Sequence, residues 1–149
     1  MADLACRTVA GADLVGVTLM ENGKPTTAVF TDPTARVVDG AQYETGAGPC
    51  LDAYRHGRVF RVDSTTEDMR WRHSSQTAAA HWIMSTLSLP LAVRSHPIGA
   101  LNLYSKSRGA FTEDEEETGR LFAEQASVAL ANRQLYETPR GSRAGCRRL

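Results

Sequence analysis

The stretch Thr86-Leu87-Ser88-Leu89-Pro90-Leu91-Ala92-Val93, followed after a short break by Ile98-Gly99-Ala100-Leu101-Asn102-Leu103-Tyr104, decides the fold. In the first run, Leu87, Leu89, Leu91 and Val93 recur with period two and share one face of a strand. Thr86, Ser88, Pro90 and Ala92 share the other. With a turn at Ser95-His96-Pro97, the two runs predict an antiparallel hairpin with one apolar core face. The mixed face admits two readings: it meets solvent, or it lines a cavity.

Upstream, residues 14–20 read as a strand, Asn22-Gly23 as a type I′ turn, and residues 26–31 as the partner strand. Asp32-Pro33 supplies an N-cap and a first helical residue for a short helix running toward Gln42. Pro49 opens a second short helix over 50–56, which Gly57 stops before a strand at 59–62. Residues 72–82, with three consecutive alanines, predict a further helix.

Downstream, Thr112 and Glu115 form a capping box, and the acidic run 113–117 complements the positive end of a long helix. Along that helix Leu121, Gln125, Val128, Asn132 and Leu135 recur with 4,3 spacing. Phe122, Ala126, Ala129 and Tyr136 form a neighbouring apolar stripe that suits the sheet. The mixed stripe meets a second copy of the chain, with its amides fixing register, or it faces water, or one broad buried face absorbs its apolar members.

The 149 residues predict one domain, and 42% hydrophobic content excludes disordered and collagen-like chains. No run approaches the roughly 18 apolar residues needed to span a bilayer, and the N-terminus has no secretory pattern, so a cytosolic, membrane-free protein is expected. Seventeen Lys and Arg against 17 Asp and Glu create no field that would recruit nucleic acid. Cys6, Cys50 and Cys146 are odd in number and far apart, which predicts reduced thiols and no zinc site. His56, His73, His81 and His96 show no ligand spacing, and no phosphate-loop, dinucleotide or hydrolase motif is present. No metal or cofactor is required by the sequence.

The order of elements, together with Gln42-Tyr43-Glu44-Thr45-Gly46-Ala47-Gly48-Pro49-Cys50, then Ser85 to Leu91, Ile98-Gly99-Ala100-Leu101-Asn102-Leu103, and Phe111-Thr112, resembles the GAF domain. The Gln-Tyr-Glu and Gly-Pro-Cys signature is similar to GAF sensory domains of bacterial regulators that carry a following ANTAR RNA-binding module. The resemblance implies an α+β fold: an antiparallel sheet of six or so strands, terminal helices on one face, and a pocket covered by loops and short helices on the other. Residues 1–137 would form one domain with a short or missing N-terminal helix, and 138–149 a basic flexible tail. No ANTAR-like segment follows, so no direct nucleic-acid binding is expected.

The same resemblance implies a regulatory homodimer that binds a small ligand and is linked to transcriptional regulation. Tyr43, Cys50, Trp71, Trp82, Thr86 and Ser88 are its candidate ligand contacts, and Leu121, Gln125, Val128, Asn132 and Leu135 its candidate dimer interface. Cys50 at a helix start reads as an activated thiolate or as a small buried apolar group. Free methionine sulfoxide reductases are GAF-like and use loop cysteines, but 81–85 here contains none. A non-enzymatic sensor is therefore the expectation. A thiol enzyme built on Cys50 and a ligand-free dimerisation module are the alternatives.

Overall fold

The computed structural model describes residues 2–133. The chain runs α1 (Ala2–Thr8), β1 (Leu14–Glu21), β2 (Lys24–Phe30), α2 (Pro33–Thr45), α3 (Pro49–His56), β3 (Phe60–Val62), α4 (Arg72–Ala80), β4 (Ser85–Val93), β5 (His96–Ser105) and α5 (Glu113–Arg133). The strands form one antiparallel sheet in the order β2-β1-β5-β4-β3, with five strands among the described residues where about six were expected.

Local chemistry explains most boundaries. Asn22 and Gly23 both take positive φ, as a type I′ turn requires. Asp32 accepts the Thr34 N–H at 2.9 Å, and Pro33 begins α2, which runs past Gln42 to close on left-handed Gly46. The β4–β5 turn is tighter than expected: Arg94 and Ser95 make it with φ of 50° and 67°, and His96 already pairs with Val93. Neither residue is a customary I′ choice, so the turn left no sequence signal. At α5, the Thr112 N–H donates to Glu115 at 2.8 Å, and hydrogen bonds from the Thr112 side chain and backbone hold that carboxyl below its usual range.

One sheet face carries Val15, Val17, Leu87, Leu89, Leu91, Leu101 and Leu103 against α1 and α5, whose Cys6, Ala123 and Ala126 join the same cluster with Val9 and Phe111. The Ser127 hydroxyl donates to Ala123 O and accepts the Ala92 N–H, tying α5 to the end of β4. Ala129 is exposed rather than part of this face. Leu121 and Val128 are each 62% exposed, and Gln125 and Asn132 are exposed with them, so the chain's own core does not absorb the mixed stripe. Leu135, Tyr136, Cys146 and the tail 138–149 lie outside the described residues.

Cys50 is a free, buried thiol, as expected. No described helix is long and apolar enough to cross a membrane. Helices α2, α3 and α4 cover the second sheet face, where the chemistry concentrates.

Candidate functional site

The floor of this site comes from alternate residues of adjacent strands. Thr18 of β1 pairs with Thr27 of β2, Asn102 of β5 lies between Gly16 and Ser88, and Tyr104 lies between Leu14 and Thr86. Period-two geometry therefore places Thr18, Thr86, Ser88, Asn102 and Tyr104 on one face, and all five are buried. The mixed face of β4 is sealed beneath helices at Thr86 and Ser88, while Ala92 at its far end is exposed.

The ceiling comes mainly from α2, where Asp39, Gln42 and Tyr43 share one face through i,i+3 and i,i+4 spacing. Asp39 is completely buried. Its Oδ2 accepts the Thr27 hydroxyl at 2.8 Å, and its Oδ1 accepts the Asn102 amide at 3.2 Å and the Tyr104 hydroxyl. Gly16 makes this approach possible, since a Cβ there would lie 2.9 Å from Asp39 Oδ2. Tyr43 OH lies 2.7 Å from Thr18 Oγ1 and 2.8 Å from Thr27 Oγ1, and Cys50 Sγ lies 3.8 Å from Thr18 Oγ1.

Burial governs the electrostatics. It pushes the Asp39 carboxyl up to about 6, with the Tyr104, Thr27 and Asn102 hydrogen bonds pulling the other way. Burial, reinforced by the Asp39 charge, raises the Cys50 thiol and both the Tyr43 and Tyr104 phenols. The start of α3 does not offset the desolvation of the Cys50 thiol, which weighs against the activated-thiolate reading. Thr86 Oγ1, Ser88 Oγ and Asn102 Oδ1 are buried without a hydrogen-bond partner among the described residues.

Of the predicted ligand contacts, the structure gathers Tyr43, Cys50, Thr86 and Ser88 into this layer. Trp71 is buried, but its Nε1–H donates to Asp52 of α3 at 2.8 Å and its ring meets Phe60 edge-on at 5.7 Å, so it latches α3 in place. Trp82 does not wall the layer. It is 73% exposed in a shallow cavity of about 410 Å³ shared with Leu14, Asp32, Thr34, His81 and Lys106. The helix expected to run to Trp82 ends at Ala80, and the positive φ at Trp82 sends Ile83 into the core instead.

The sequence reading missed Thr18, Thr27, Asp39, Gln42, Asn102 and Tyr104. A signal existed for two of them, because Asn102 and Tyr104 alternate along β5 just as Thr86 and Ser88 do along β4. At one end of this layer, a pocket among Val38, Gln42, Val62, Ala78, Thr86 and Tyr104 measures about 10 Å³, room for one water at most. Among the described residues, no group of three or more His, Cys, Asp or Glu side chains is placed to hold a metal ion.

The GAF domain family model matches residues 1–131. The chain belongs to the GAF domain family. A stretch of 86 residues is 26% identical to "Probable 3',5'-cyclic phosphodiesterase pde-5" of Caenorhabditis elegans; it makes up 58% of this chain and only 12% of that protein. Among solved structures, this GAF domain superposes on a type II free methionine-R-sulfoxide reductase from Thermoplasma acidophilum with a TM-score of 0.64 and 19% identity, over 82% and 81% of the two chains. It also superposes on the GAF domain/HD domain protein from Geobacter sulfurreducens, with a TM-score of 0.65 and 15% identity over 92% and 91%. The GAF domain of a two-component sensor histidine kinase from Bacillus halodurans matches with a TM-score of 0.64 and 15% identity, over 87% and 88%. At these identities the solved structures share a fold with this GAF domain, and the fold hosts both sensors and enzymes.

Proposed function

We propose that this GAF domain is a non-enzymatic sensory module that binds a small molecule noncovalently between its sheet and helices α2, α3 and α4, and signals through α5 in a homodimer. The observation that carries the reading is the polar layer itself. An α+β core normally buries apolar residues here, and leaving Thr86 Oγ1, Ser88 Oγ and Asn102 Oδ1 unpaired costs about 1–3 kcal/mol each. A ligand that hydrogen-bonds them recovers that cost. The pocket of about 10 Å³ beside Thr86 and Tyr104 is too small for such a ligand, so a ligand entering there shifts the helices and selects a second packing of α3 or α4 over the sheet.

The signalling half of the proposal rests on α5. Its Leu121, Gln125, Val128 and Asn132 are exposed, and Val128 and Asn132 line a groove of about 610 Å³ with Val93, Arg120 and Ala131. Two such helices paired along this stripe would bury it, with Gln125 and Asn132 setting the register. The setting proposed is cytosolic, in a circuit that controls transcription, as the motif's resemblance to ANTAR-linked sensors suggests; the chain itself is not proposed to bind nucleic acid.

The reductase reading draws support from the structural likeness to free methionine-R-sulfoxide reductases, and the burial of Cys50 weighs against it. Native mass spectrometry of the purified chain, compared with its denatured mass, tests the proposal. A dimer carrying an extra noncovalent mass is expected. A bare monomer would overturn it, and turnover of free methionine sulfoxide that is lost in Cys50→Ser would replace it with the enzyme.

A further inference from the structure

We infer that the ligand of this site is a small organic cation, a protonated amine, amidine or guanidinium group, whose charge pairs with Asp39. The inference rests on the sensory reading above and names the chemistry of its ligand. The first observation is charge. Asp39 is wholly buried, and among the described residues no Lys, Arg or His pairs with it. The groups packed around it are Tyr43 from α2, Cys50 from α3, Thr18 from β1, Thr27 from β2, and Asn102 and Tyr104 from β5. Every one is neutral, since burial raises the thiol and both phenols. The site therefore encloses a carboxyl with no countercharge, whose ionised form is costly until a cation pairs with it.

The second observation is the hydrogen-bond balance. The Asn102 amide N–H groups are spent on Thr18 and Asp39, which leaves its Oδ1 as a buried acceptor without a donor. Asp39 offers about four acceptor positions and receives three donors. Around Asp39 and Asn102 Oδ1 acceptors outnumber donors, and an ammonium, amidinium or guanidinium brings donors there that a carboxylate or phosphate does not. An anion would also meet the Asp39 charge at contact range.

The test uses the full chain and matched probes: acetamidinium against acetamide and acetate, and methylguanidinium against methylurea, with binding read by calorimetry and thermal shift. At about pH 7.5 each cation should bind at least about tenfold more tightly than its neutral isostere. Near pH 5 that preference should fall by about tenfold, because binding must then displace the proton of a carboxyl that titrates at about 6. Asp39→Asn should abolish the preference, and the wild-type pH profile decides the matter if that variant fails to fold. Equal binding of the neutral or anionic member, a preference indifferent to pH, or no binding of either cation overturns the inference. An anionic or neutral cargo found on the native dimer would refute the cation while leaving the sensor standing. A chain that retains no cargo and binds no probe would remove both.

Discussion

The side-chain carbonyl of Gln42 accepts the backbone N–H of Cys50 at 2.9 Å, passing over Gly48, where a Cβ would lie 2.0 Å from the same oxygen. Gly48 supplies no side-chain cap to α3 and Pro49 brings no N–H, so Cys50 offers an early orphan donor of the helix. Gln42, eight residues upstream on α2, satisfies it. The Gly-Pro-Cys motif is thereby explained piece by piece: close approach, helix start, and a small buried side chain against Thr18.

Gly48→Ala should destabilise the domain by about 2–3 kcal/mol, because the displaced amide leaves a buried donor unpaired. Gln42→Ala should cost about 1–3 kcal/mol for the same reason. The double variant should cost clearly less than the sum, since the two residues compete for one space. Urea unfolding of the three variants measures this, and strictly additive losses would show that the contact does not couple them.

Asp39 should make the domain more stable as pH falls from about 7.5 to 5. Its folded carboxyl titrates at about 6 against 3.8 for an ordinary one, so the folded state binds more protons across that interval. The stabilisation is complete below the unfolded value and is lost as pH rises through about 6. The full difference is roughly 3 kcal/mol, of which about half falls between pH 7.5 and 5. Denaturation curves across this range should show the slope in wild type and a flat response in Asp39→Asn; equal slopes would place the titration elsewhere.

Trp71 and Trp82 should separate by position. Trp71→Phe removes the Nε1–H bond to Asp52 and should cost about 1 kcal/mol, with faster amide exchange in α3. Trp82→Gly should cost nothing or stabilise by up to about 1–2 kcal/mol, since the residue is exposed and holds a left-handed φ of 67°. A larger loss at Trp82 than at Trp71 would reverse the assignment of the two rings.

Cys50 should react with iodoacetamide on the order of a hundredfold more slowly than an exposed thiol at neutral pH, because its thiolate is disfavoured by burial and by Asp39. Rate measurements with and without denaturant test this. Fast native-state labelling would restore the activated-thiolate reading.

Val128→Asp should turn the proposed dimer into monomers, placing a charge on a side chain that is 62% exposed on α5. Sedimentation velocity reports the change. An unchanged dimer mass would remove this helix from the interface.

The sequence by itself determined the elements whose signals are local: the period-two leucines of β4, the Asn22-Gly23 turn, the Asp32-Pro33 start of α2, and the Thr112-Glu115 cap of α5. It also determined, through its motifs, the family. Thr86 and Ser88 were legible as a polar face, and Tyr43 and Cys50 as its neighbours. Tertiary structure alone decided that this face is buried, that Trp82 turns outward while Ile83 turns in, and that Leu121 and Val128 stay exposed. It alone brought Asp39 and Gln42 of α2 onto residues of β2, β5 and α3. The physical reason is that hydrogen-bond and backbone propensities act over a few residues, whereas the charge state of Asp39 depends on how much water three separate helices exclude from one sheet face.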